Sequence, residues 1–325
     1  MKILVTGGSG FIGTNLVHLL LTEQYDVVNL DKKAPLNSDH RHLWVQSDIQ
    51  DFKQIARVFS EFRPQWVIHL AARTDVDENT TVEEGYAENT TGVKNILRLV
   101  KQNKTVTDLI VISTQYVCKP GHIPRHDEDY SPWTVYGRSK VETERLTRRA
   151  NLNCRWTIIR PTNIWGPWHV RYGKELLYSI KKGYYLHPGK TPCMKSYGYV
   201  ENVTFQILCL LKNGDSSTCG KTLYAGDEPI NLLEWVNELS LALTGRNVRI
   251  APLLIVRLFA FCGDIITKLT GHPFLLTTSR YNSMIQDYVV PMKKMLDLVG
   301  PSPIIMKEGV RRTVNWYEKT GLFTN

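Results

Sequence analysis

At 325 residues the chain is long enough for one large domain or two smaller ones with ample core. Its 42% hydrophobic and 22% charged fractions are those of an ordinary soluble globular protein. The net charge of +9 is dispersed over pairs such as Lys32/Lys33, Arg148/Arg149 and Arg311/Arg312, with no basic run interleaved with aromatics, which speaks against nucleic acid and for an anionic small substrate.

The chain opens on "KILVTG" (2–7), an apolar strand that leaves no room for a secretory leader. The turn that follows, "GGSGFIG", sets Gly7, Gly10 and Gly13 between this strand and a helix. Such glycines allow a tight turn, and the helix N-terminus offers amides to a pyrophosphate; a merely tight turn is the plain alternative. A second strand (25–31) ends in Asp31. A carboxylate there accepts hydrogen bonds from an adenosine ribose and repels a 2′-phosphate, favouring NAD, although Lys32 and Lys33 could tolerate that phosphate. Asp48 and Ile49 close a third strand where an adenine edge would lie; on its own, Asp48 reads as the cap of the helix that follows.

Strands "WVIHLAA" (66–72), "DLIVIS" (108–113), "RWTIIRP" (155–161) and "KTLYAGD" (221–227) alternate with helical patterns between them, and "SYGYV" (196–200) reads as a further strand. Apolar strands that do not alternate polar and apolar residues argue a parallel sheet covered on both faces. The fold class expected is α/β: a doubly wound Rossmann sheet with a smaller, discontinuous, mostly helical C-terminal substrate lobe. The dinucleotide domain is placed at 1–163, together with about 198–228, and the lobe at 164–197 and 229–325. The segment 251–271 is the most apolar long stretch. Arg257, Asp264 and Lys268 interrupt it, so an amphipathic helix packed on the domain is expected rather than a membrane span.

The stretch "VYGRSK" places Tyr136 and Lys140 four apart at the start of a helix, hence on one face. An unperturbed phenol has a pKa near ~10; a neighbouring ammonium and a cationic nicotinamide would bring it toward the working range. Thr114 ends its strand 22 residues earlier, where a hydroxyl could hold the reacting oxygen.

With "TGGSGFIG", "HLAA" (69–72), "NTTG" (89–92), "YGRSK", "RPTNIWGP" (160–167) and "YGYVENV" (197–203), these stretches make a sequence that resembles the extended short-chain dehydrogenase/reductase family, in particular its nucleotide-sugar epimerases, dehydratases and ketoreductases. The resemblance implies a catalytic set of Thr114, Tyr136 and Lys140. It implies a cofactor site in which Leu70, Ala71 and Ala72 line the dinucleotide and Pro161 sits by the nicotinamide, with Phe11, Ile12 and Asn89 on the same side. Asn163 would face a substrate diphosphate, and Lys195 stands where many relatives carry an arginine that grips it. The family's dehydratases carry acidic side chains after the catalytic hydroxyl; Gln115 and Tyr116 stand there, which demotes dehydration. His169 lies one place from a catalytic histidine of the keto-sugar epimerase-reductases, and reads more simply as a solvated loop residue. The aromatic-rich segment 168–190 could stack a base or fill core.

The function expected is NAD-dependent hydride transfer at a carbon of a nucleotide sugar, as an epimerase or as a keto-sugar reductase or dehydrogenase. A hydroxysteroid-type dehydrogenase and a non-catalytic NAD-binding scaffold are the rivals. Six scattered cysteines, without CxxC or metal-type spacing, suit a reducing cytosol, so no metal and a cytoplasmic location are expected. The resemblance also implies a homodimer, in which the helices "NTTGVKNILRLVKQ" and "SKVETERLTRRANL" pair across a two-fold axis; Val93, Ile96, Leu97 and Val100 supply an apolar stripe, while Arg145, Arg148 and Arg149 make the partner helix unusually basic.

Overall fold

In the computed structural model, residues 1–214, 216–271 and 274–321 are described. Residues 215, 272, 273 and 322–325, which the expected domain boundaries take in, lie outside them. The chain divides into two compact units. The first comprises Met1–Ile164, Val200–Asp227 and Val290–Ser302.

In this unit the order is β1 (Lys2–Thr6), α1 (Phe11–Thr22), β2 (Asp26–Asp31), β3 (Trp44–Gln46), α2 (Phe52–Phe62), β4 (Trp66–His69), α3 (Val82–Gly85), α4 (Val93–Gln102), β5 (Asp108–Ile112), α5 (Val135–Arg149), β6 (Arg155–Pro161), α6 (Val200–Asn213) and β7 (Thr222–Ala225). The seven strands run parallel in the order β7-β6-β5-β4-β1-β2-β3. The order reverses between β1 and β4, and the crevice at the carboxyl ends there is where such sheets bind ligands. Two cores explain the apolar strands. Ile3, Val5, Ile68, Ile110 and Ile159 face one layer with α1 and α6; Leu4, Leu30, Val67, Leu109 and Ile158 face the other with α2 and α4.

Three expectations change here. Tyr197–Tyr199 is a strand, but it lies outside the seven-stranded sheet. Residues 290–302, placed in the lobe, return to the first unit, where the helix Lys293–Val299 packs beside α6 and β7. The stripe Val93, Ile96, Leu97 and Val100 is buried in the unit's own core. What α4 and α5 turn outward includes Lys94, Arg98, Lys101, Arg145 and Arg149.

The second unit comprises Trp165–Tyr199, Glu228–Val289 and Pro303–Asn325. Its main helices are α7 (Leu232–Thr244), α8 (Leu253–Thr270), α9 (Thr278–Ile285) and α10 (Met306–Lys319). Trp165, Tyr199, Trp235 and Tyr317 anchor its core, with Trp165 between Tyr199 (4.9 Å) and Trp235 (5.7 Å). Trp168 packs on Trp316 at 5.0 Å, and Tyr185 packs at the core's edge while Tyr184 is exposed. The aromatic-rich segment therefore largely fills core.

Candidate active site

The glycine turn is shaped by backbone contacts. Gly7 has φ +76°, and a Cβ there would lie 2.5 Å from the Ala71 amide nitrogen. A Cβ on Gly13 would lie 2.2 Å from the Gly7 carbonyl oxygen. Both positions exclude side chains whatever binds. Gly10 differs, since its Cβ would meet only the Gly7 oxygen, at 3.4 Å. It caps α1 without a side chain, which leaves close access to the helix N-terminus where Phe11 and Ile12 begin.

Asp31 stands at the end of β2, across from this turn. Its carboxylate accepts from the amides of Ser9 (3.1 Å) and Lys33 (2.9 Å), and burial raises its pKa against the pull of those two bonds. The Lys32 ammonium is held by Glu88 at 2.5 Å. Lys32 is therefore already paired, which weakens the reading that it would accommodate a 2′-phosphate. Asp48 accepts from the Gln50 amide, while the cap of α2 is Asp51, which accepts from Lys53 and Gln54. Ile49 is buried beneath Gly92, whose Cβ would fall 2.4 Å from it.

Thr6 and His69 join β1 to β4 at the reversal point, Thr6 Oγ1 lying 2.7 Å from His69 Nδ1. The amides of Leu70 and Ala71 both donate to Thr6, so the chain leaving β4 is pinned beside the glycine turn, with Ala72 next along it. Burial, with Lys140 nearby, pushes His69 down to about 3 and keeps it neutral. Asn89 is fully buried with its amide engaged: it accepts from the Arg73 amide (2.9 Å) and donates to Arg73 O (3.0 Å) and Ser139 Oγ (2.8 Å). It holds the loop after β4 against α5.

Thr114, Tyr136 and Lys140 come together at the end of β5. The Thr114 hydroxyl lies near the Tyr136 phenol and acts to lower its pKa, and its Oγ1 accepts from the Tyr116 amide at 3.2 Å, capping the turn Gln115–Val117. Lys140 is 2% exposed and donates to Ile112 O at 2.6 Å. Burial lowers Lys140 to about 8, opposed by Glu144. Burial also lifts Tyr136 to about 12; the Thr114 hydroxyl opposes this, while the Tyr116 and Tyr86 phenols add to it. Those rings lie 6.1 and 6.4 Å from the Tyr136 ring. The lowering of the phenol expected from Lys140 is not present in the protein alone, where burial is the largest influence on Tyr136.

Sequence reading missed the carboxylate below this pair. Glu144 follows Lys140 by four residues and forms a buried ion pair with Arg160, at 0% and 1% exposure, N–O distance 2.8 Å. Ser113 donates to Glu144 at 2.6 Å and Tyr130 at 3.0 Å. The i, i+4, i+8 spacing of Tyr136, Lys140 and Glu144 was the available signal.

Pro161 is buried at the end of β6, and half-buried Asn163 follows it. The other sites lie in the second unit. Lys195 is 4% exposed, its ammonium bonded to Gln286 O, and burial lowers its pKa. That is a structural lysine more than a ready phosphate grip. His169 is not a solvated loop residue: it caps a short turn by accepting from the Tyr172 amide (3.2 Å), stacks on Tyr172 at 4.3 Å, and burial lowers it to about 4. Among the described residues no cluster of metal-ligating side chains occurs.

A family model described as the NAD dependent epimerase/dehydratase family matches residues 3–226. The chain is 25% identical over 322 residues to an N-acetyl-alpha-D-glucosaminyl-diphospho-ditrans,octacis-undecaprenol 4-epimerase of Escherichia coli O157:H7, covering 97% of this chain and 95% of that one. It is 24% identical over 357 residues to a dTDP-glucose 4,6-dehydratase of Salmonella typhimurium, covering 98% and 92%. A UDP-glucuronic acid 4-epimerase from Bacillus cereus, solved with UDP-glucuronic acid and NAD, shares the fold with a TM-score of 0.73 at 20% identity, covering 98% of this chain and all of that one.

Proposed function

The chain belongs to the NAD dependent epimerase/dehydratase family, enzymes of the extended short-chain dehydrogenase/reductase type, and from that premise we propose that it epimerises a sugar carried on a diphosphate. The observation that carries the reading is the convergence of Thr114, Tyr136 and Lys140 at the end of β5, in the same unit as the open glycine turn.

The residues present fit NAD. Gly10 allows close approach to the α1 N-terminus, Asp31 is placed for a ribose, and Lys32 is paired with Glu88. When bound, NAD supplies the hydride acceptor and a positive charge beside the phenol. Tyr136 Oη takes the proton from a sugar hydroxyl, the C4 hydroxyl in this reading, as that carbon gives up hydride, and returns it when hydride comes back to the opposite face. Thr114 hydrogen-bonds the same oxygen, and Lys140 steadies the phenolate form. Tyr116, whose ring packs tilted against Trp133 at 4.8 Å, and Gln115 offer no carboxylic acid for water elimination, which favours epimerisation over dehydration.

Nucleotide-linked and polyprenol-linked sugars share the diphosphate, and separate assays distinguish them. Each is incubated with enzyme and NAD, and the sugar is followed by NMR. Epimer formation without accumulating NADH is the expected result. Stoichiometric NADH with no epimer would establish a dehydrogenase instead.

A further inference from the structure

The helix α8 is inverted relative to an ordinary surface helix. Its inward stripe is narrow and small: Val256, Ala260 and Gly263 are its buried residues. Gly263 lets the helix backbone seat against Leu276 O, where a Cβ would be 1.9 Å away. The large apolar side chains point the other way. Leu254 is 79% exposed, Leu258 65% and Leu269 80%, with Phe261, Ile265 and Phe259 also exposed.

At about 100° per residue, these fall on one outward arc of roughly 160°. Arg257, Asp264 and Lys268 share a single stripe along one margin of that arc. The expectation of an amphipathic helix with its apolar side on the domain is thus corrected, because the apolar side faces out. Exposed apolar patches of this extent mark interaction surfaces.

The charge distribution selects the occupant. The second unit carries 15 of the 40 Lys and Arg but only 8 of the 31 Asp and Glu, hence +7 of the net +9. The first unit, with 25 against 23, is close to neutral. Beside α8, exposed Arg246 and Arg249 precede it, and exposed Lys190 follows Gly189, where an added Cβ would lie 3.5 Å from Leu253. A second copy of the chain would bring the same positive charge, whereas an anionic surface complements it. No described helix is long and apolar enough to cross a membrane.

We propose that α8 docks the protein on an anionic phospholipid surface. The helix lies in the plane of the interface, with Leu254, Leu258, Phe261, Ile265 and Leu269 among the acyl chains and Arg257 and Lys268 at the level of the headgroups.

The test is flotation of the full chain with vesicles of phosphatidylcholine alone or mixed with phosphatidylglycerol, without substrate, so that it is independent of the proposed reaction. Wild type should float with the mixed vesicles and be released by high salt. The variant L254E/L258E/L269E should lose at least about a hundredfold in partitioning while keeping its thermal midpoint and NAD binding. A second variant, Phe261→Trp, should show a blue-shifted emission from the new indole on adding mixed vesicles. Absence of flotation by wild type, or equal flotation by the triple variant, would overturn the proposal. So would a wild-type dimer in light scattering that the triple variant dissolves without vesicle binding, which would make the face a protein interface.

Discussion

Ser113 and Thr114 are neighbours whose hydroxyls serve different turns of one helix: Ser113 donates to Glu144 at 2.6 Å, and Thr114 stands near the Tyr136 phenol, two turns nearer the helix start. One hydroxyl belongs to a buried ion-pair network and the other, in the proposed mechanism, would meet the reacting oxygen. The order of mutational effects follows from that division.

Tyr136→Phe keeps the ring between Tyr86 and Tyr116 and removes only the proton carrier. Folding and NAD binding should persist while turnover falls by roughly 10²–10⁴-fold. Thr114→Val should cost less, since it loses one hydrogen bond. Near-normal turnover in Tyr136→Phe, measured with the true substrate, would overturn the mechanism.

Lys140 is held at about 8 against an ordinary 10.5, so the fold opposes its charged form. Between those two values the unfolded chain keeps a proton that the folded one releases, and wild-type stability should therefore rise with pH across that window. Below pH 8 the penalty is fully present. Lys140→Met should be more stable than wild type at neutral pH, by at most about 3 kcal/mol, and its advantage should fade toward pH 10.5 while its activity is severely reduced. Thermal melts of both proteins across the range check this; an advantage that grew with pH would refute it.

Arg160→Met leaves the Glu144 carboxylate buried beside Ser113 and Tyr130 with its cation gone. The expected loss is about 3–5 kcal/mol. Arg160→Met combined with Glu144→Leu should recover most of it. Denaturant titrations of the single and double variants measure the coupling, and additive losses would contradict it.

Gly7→Ala and Gly10→Ala should separate. The first forces a Cβ against the Ala71 backbone and should destabilise the fold; the second should leave the thermal midpoint of the NAD-free protein within a degree or so while weakening NAD binding by about tenfold or more. Equal midpoints in both variants would contradict the geometry.

Cofactor choice should favour NAD over NADP, and Asp31→Ser alone should narrow the preference only in part because Lys32 remains paired with Glu88. Adding Glu88→Gln should narrow it further. Binding titrations with both dinucleotides decide the matter, and tighter NADP binding by wild type would sink the assignment.

Much of the first unit was legible because a parallel sheet covered on both faces leaves uninterrupted apolar strands between glycine and proline punctuation. The proposed catalytic set was legible for a related reason: Tyr136 and Lys140 are local on one helix, and Thr114 ends a readable strand. Tertiary choices were not. An apolar stripe such as Val93–Val100 reads the same whether it meets a partner or its own core, and here the core took it. The pattern of α8 gave no sign of which side faced inward, since the small residues Ala260 and Gly263 are what permit its seat. Helical spacing could place Glu144 below Lys140, but its partner Arg160 stands on a strand, and no local spacing announces that pairing.

Asn89 has a consequence for the order in which the molecule assembles. Its side chain closes two loops, reaching 16 residues back to Arg73 and 50 forward to Ser139. The Ser139 bond closes the longer loop and needs the start of α5 in place, so it is expected to form after the shorter Arg73 contacts. Interactions absent from the transition state govern how fast a fold comes apart and leave its formation almost untouched. On that footing Asn89→Ala should hasten the unfolding of the assembled site while leaving the speed of its making nearly unchanged.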